Sequence, residues 1–114
     1  MSLVFKISPE PLWRQAELAG VFAGAPIDIQ DGFIHFSTAD QVGETAAKHF
    51  AGQTDLLLIA VAADVLGTRL RYEPSRGGQL FPHLYGPLPL AAVCWVKPLP
   101  LGADGSHIFP ELDP

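Results

Sequence analysis

The chain has 114 residues, 48% of them apolar and only 17% charged, with a formal net charge of −5. Such a length fits one domain with its own core, and the composition excludes a disordered chain, which would be polar and highly charged. The acidic balance excludes a general DNA- or RNA-coating role, because that needs a basic surface to release counterions.

In chain order, residues 3–7 read as a first strand. The N-terminal residues lack the basic-then-apolar layout of a signal peptide, and a cytoplasmic protein is expected. Ser8-Pro9-Glu10-Pro11 then opens a helix, with Ser8 as the expected cap and Gly20 as the stop. A Gly/Ala/Pro loop follows and leads to a short strand, Gly32-Phe33-Ile34-His35-Phe36. Thr38 and Gln41 have capping-box spacing for a second helix, whose Val42, Ala46, His49 and Phe50 share one face.

Residues 55–63 form the most apolar segment and suit a strand buried on both faces. That run is far short of the roughly 20 residues that span a bilayer, so no membrane association is expected. Arg69-Leu70-Arg71-Tyr72-Glu73 alternates as a strand, with Leu70 and Tyr72 on one side and Arg71 and Glu73 on the other. Arg69, Arg71 and Arg76 make a local basic cluster.

Residues 81–90 carry three prolines, which argues against a central strand there. Residues 91–97 read as another strand, in which the single cysteine, Cys94, is expected as a buried structural thiol. The tail from 99 to 114 is expected to lie on the surface or stay loose. Five or six strands and two main helices give a small α+β domain spanning 1–114, with its core over about 3–98. The sequence leaves the oligomeric state open.

Two stretches carry candidate chemistry. A strand that delivers His35 and at once opens a capped helix brings an imidazole, the Ser37 and Thr38 hydroxyls and free N–H groups together, a combination that suits an anion. Capping alone also accounts for the two hydroxyls. In the second stretch, Pro82 and Pro87 stiffen a backbone presenting His83 and Tyr85, whose rings suit a flat ligand and whose polar tips suit ribose or phosphate oxygens. A purely structural role for the Tyr85 hydroxyl competes with that reading. Arg71 can hold a phosphate in a forked contact, and Glu73 can bind a ribose hydroxyl or act as a base; a solvated ion pair is the plainer alternative. The four histidines show no metal-ligand spacing, so no metal is expected.

Gly32-Phe33-Ile34-His35-x-Ser37-Thr38, Arg71-Tyr72-Glu73-Pro74 and Phe81-Pro82-His83-x-Tyr85-Gly86-Pro87-Leu88 together resemble the DUF952 family of small uncharacterised proteins. The likeness runs from about residue 3 to residue 98. It implies a fold of split, mixed or antiparallel sheets like that of the ADP-ribosyltransferases, and a cleft that takes NAD or another nucleotide-type small molecule. It implies a transferase of ADP-ribosyl or phosphotransferase type, with His35 and Glu73 as catalytic candidates and Lys6, Ser37, Thr38, Arg71, His83 and Tyr85 as cofactor-binding candidates. Phe5-Lys6 stands where such folds commonly carry a first-strand histidine, which also leaves open a non-catalytic module that binds a metabolite or a protein and keeps the cleft.

Overall fold

The structure is a computed structural model that describes residues 2–113. The side chain of Arg76, expected to join Arg69 and Arg71 in a basic cluster, lies outside the described part. The fold is α+β, built from three antiparallel sheets and helices that pack beside them.

The first sheet runs β1 (Leu3–Pro9), β4 (Leu56–Ala62) and β8 (Val93–Pro98), with β4 in the middle. Every residue of β4 is buried, as its unbroken apolar run dictates. Its two faces feed two separate cores. Val4, Leu57, Ile59 and Val61 pack with Trp13, Phe22 and Leu88 on one side. Phe5, Ile7, Leu58 and Ala60 pack with Val42, Ala46 and Leu99 on the other. Each large apolar side chain sealed this way contributes about 1.5–3 kcal/mol.

Helix α1 (Glu10–Ala19) covers the first core through Trp13 and Ala16. Its cap differs from expectation: Pro9 occupies the capping position, and the Ser8 hydroxyl donates to the Pro9 carbonyl instead. Gly20 ends the helix in the left-handed conformation. Helix α3 (Ala39–His49) covers the second core through Val42 and Ala46. At its start the Thr38 amide donates to Gln41 Oε1 at 3.0 Å, in keeping with the capping-box spacing.

The segment expected to be a plain loop holds a further helix, α2 (Pro26–Asp31). Pro26 opens it and Gly32 closes it at φ 87°. The strand pair β2 (Val21–Phe22) and β7 (Leu88–Pro89) brackets this corner.

The third sheet runs β3 (Ile34–His35), β6 (Leu80–Leu84) and β5 (Leu70–Pro74), and it corrects the reading of residues 81–90. β6 is its central strand, with Pro82 inside it. The Pro82 carbonyl accepts the Phe36 amide at 3.0 Å, so the side where Pro82 lacks an N–H faces the end of two-residue β3. A residue's N–H and C=O leave a strand on the same side, so the proline costs no ladder bond to β5. On β5 the Leu70–Tyr72 side is not sealed, and Tyr72 is exposed.

Cys94 also departs from expectation and is exposed. Ala60 pairs with Trp95 and Val61 with Val93, which leaves Cys94 as the extra residue of a bulge in edge strand β8. The tail is fastened to the surface. Trp95 Nε1 donates to the Asp113 carbonyl at 2.9 Å, and Phe109 and Leu112 pack against the second core. No helix among the described residues is long and apolar enough to cross a membrane.

Candidate functional site

β1 and the segment after β3 are joined by two backbone hydrogen bonds, Phe5 N–H to Ser37 O at 2.8 Å and Ser37 N–H to Phe5 O at 2.9 Å. This seam sets the first sheet against the third, and a cavity of about 570 Å³ opens beside it. That volume lies within the usual range for small-ligand pockets. Phe5, Ile7, Phe36, Phe50 and Phe81 supply the apolar wall, while Lys6, Asp31, His35, Ser37 and His83 line it with polar groups.

Asp28 organises one end. It projects from α2 and is fully buried. Oδ2 accepts from Lys6 Nζ at 2.8 Å and from the Ala25 amide at 2.8 Å. Oδ1 meets His35 Nδ1 at 2.6 Å and accepts the His35 amide at 3.1 Å. Burial alone would push the Asp28 carboxyl up, but the His35 hydrogen bond, the Lys6 charge and the Ala25 N–H outweigh it and hold it down at about 2. For Lys6 burial dominates and lowers its pKa, against the opposing pull of Asp28. Asp28 sits in a stretch that reads as a loop in sequence; Pro26 at the first helical turn, an acid at the third position and Gly32 after the end are the signals that mark its helix.

The other ring nitrogen of His35, Nε2, lies 3.0 Å from Asp31 Oδ2. His35 is thus held between two carboxylates of the same short helix, one sealed and one half-exposed.

Glu73 organises the second end. Its Oε1 meets His83 Nδ1 at 2.8 Å and accepts the Tyr85 hydroxyl at 2.7 Å. The contact is diagonal across β5 and β6, where Arg71 pairs with His83 and Glu73 with Phe81. The Tyr85 and His83 hydrogen bonds lower the Glu73 carboxyl, and the Glu73 bond raises the Tyr85 phenol. The Arg71 guanidinium lies 4.8 Å from the Tyr85 ring centroid. Phe33, not singled out in sequence, joins the two ends: it stacks on His83 at 4.1 Å and lies 4.7 Å from the His35 ring.

The expected site residues therefore separate. Lys6, His35, Ser37 and His83 come together on the cavity wall. Glu73 and Tyr85 stand behind His83 and reach the cavity through it. Arg71 lies outside on Tyr85, and Thr38 serves the start of α3. The Ser37 hydroxyl pairs with Thr45 Oγ1 at 2.9 Å.

An α+β chain that carries these three motifs falls in a defined family: residues 7–96 match the family described as "Protein of unknown function (DUF952)", and the chain belongs to it. The crystal structure of protein CC0527 from Caulobacter crescentus is 47% identical, covers 94% of each chain and superposes with a TM-score of 0.90. The solution NMR structure of the same protein gives 48% identity, a TM-score of 0.84, and coverage of 93% of this chain and 91% of that one. No curated protein matches.

Proposed function

We propose that the cavity binds a nucleotide-type ligand of the NAD or ADP-ribose class. One observation carries this reading: a cavity of about 570 Å³ with an aromatic wall ends at two imidazoles, His35 and His83, each fixed through Nδ1 by its own carboxylate. In this reading Phe5, Phe36 and Phe81 face the flat base or nicotinamide, and His35, His83 and Ser37 meet ribose or phosphate oxygens. Tyr85 stands behind His83 and Arg71 lies on Tyr85, so both act on the ligand through the His83 end of the cavity. If transfer of an ADP-ribosyl or 2′-phosphate group follows, His35 is the group that moves a proton at the cavity, and Glu73 acts by orienting His83.

A thermal-shift titration with NAD, ADP-ribose, nicotinamide and a 2′-phosphorylated nucleotide tests the proposal. Ligand at 100 times its dissociation constant stabilises the fold by about 2.7 kcal/mol. The shift is expected in the native protein, absent in His35→Ala and reduced in Arg71→Ala. No shift with any of the four sinks it.

A non-catalytic binding module is the second reading. It is favoured by the internal neutralisation of the polar wall, where Lys6 is held by Asp28, and His35 by Asp28 and Asp31. Saturable binding without turnover separates it from a transferase.

A further inference from the structure

We infer that Asp31 is an internal stand-in for an anionic group of the ligand, occupying His35 Nε2 until a phosphate or carboxylate oxygen displaces it. The inference rests on the proposal that the cavity binds a ligand, and it names what the ligand must carry.

The two carboxylates that flank His35 are not equivalent. Asp28 is 1% exposed and is bonded to Lys6, to the Ala25 amide and to both the ring and the backbone of His35. Moving it would strand a buried ammonium and two N–H groups, so it is a fixed anchor that sets the ring. Asp31 is 37% exposed, is the last residue of α2, and precedes Gly32, where the chain turns through the left-handed region. An exposed pair of this kind is weak and readily exchanged.

The two contacts differ in kind as well. Two carboxylate oxygens face the two ring nitrogens at 2.6 and 3.0 Å. The Asp28 contact is a hydrogen bond, whereas the Asp31 contact is a close N···O approach alone and so the easier of the two to exchange. His35 Nε2 thus faces an anionic oxygen on the cavity wall, where both His35 and Asp31 lie. A ligand oxyanion placed there takes the carboxylate's place at Nε2 and releases Asp31 to water.

The test follows the His35 ring proton signal by NMR while inorganic phosphate, and separately ADP-ribose, is titrated into the native protein, Asp31→Ala and Asp31→Asn. The midpoint is expected to fall about two- to fivefold in Asp31→Ala, the size of an exposed ion pair. Asp31→Asn, which keeps the shape and removes the charge, is expected to move it in the same direction. Uncharged nicotinamide is expected to bind the native protein and both variants alike. An unchanged or raised midpoint for phosphate in both variants, or a His35 signal that ignores phosphate in Asp31→Ala, overturns the inference. Phosphate behaving as expected while ADP-ribose binds none of the three would instead sink the nucleotide reading and leave the role of Asp31 standing.

Discussion

Lys6 Nζ lies 2.8 Å from Asp28 Oδ2, and the two side chains are 7% and 1% exposed. Removing one member of such a pair costs about 3–5 kcal/mol, because the other is left charged without a partner. Asp28→Ala is expected to fall in that range, since it also frees the His35 ring and two backbone amides. Lys6→Met is expected to cost clearly less, because His35 and Ala25 still satisfy the carboxylate. Urea unfolding of both variants checks the order; equal losses would mean that Asp28 serves Lys6 alone.

The depressed Asp28 carboxyl sets an acid limit. Its folded value is about 2 against an ordinary 3.8. A carboxyl lowered by folding stabilises the protein above its unfolded value, and that contribution drains away as pH falls through the folded one. The contribution is of order 1–2 kcal/mol after allowing for screening. The Lys6 shift acts on the alkaline side and is constant in this window. Stability is therefore expected to fall between about pH 4 and pH 2. The fall should flatten in Asp28→Asn, as followed by unfolding at fixed urea concentration, and an unaltered acid slope would place the loss on other carboxyls.

Much of this was legible in sequence where one local signal decided the outcome. The unbroken apolar run of β4, the Thr38–Gln41 spacing and the alternation that puts Arg71 and Glu73 on one side of β5 all needed only near neighbours. The rest depended on partners distant in the chain. Pro82 fits a central strand because β3 stops after His35, which no local rule around Pro82 records. Cys94 is exposed because a bulge turns it out of an apolar run. Lys6 tolerates burial because of Asp28, 22 residues away on a helix hidden in a Gly/Ala/Pro-rich stretch.

Glu73 accepts the Tyr85 hydroxyl at 2.7 Å, and this bond raises the phenol above its usual range. Glu73→Ala removes both the acceptor and the nearby negative charge, so the Tyr85 phenol is expected to ionise at lower pH than in the native protein. Ultraviolet difference titration of the native protein and the variant reads this shift. If Tyr85 keeps its native transition in the variant, the carboxylate is not its partner. His83 loses the same anchor, so ligand affinity should fall together with the phenol shift.

Gly24 supports the site from outside it. Its φ is +118°, a region that side chains rarely adopt, and an added Cβ would meet the Asp28 Cβ at 2.9 Å. That contact cannot be relieved by swinging a flexible tip, because Asp28 is tied at both oxygens. Gly24→Ala is therefore expected to cost about 1–3 kcal/mol through strain at a residue that touches no ligand. It should also move the His35 ring signal in NMR, since displacing Asp28 displaces the anchor of that ring. Gly52→Ala is the control: it too has positive φ, at +74°, but an added Cβ there meets nothing within 4 Å. Strain at Gly52 should lower stability while leaving His35 unmoved, and a His35 signal that responds equally to both substitutions would break the link from Gly24 through Asp28 to the site.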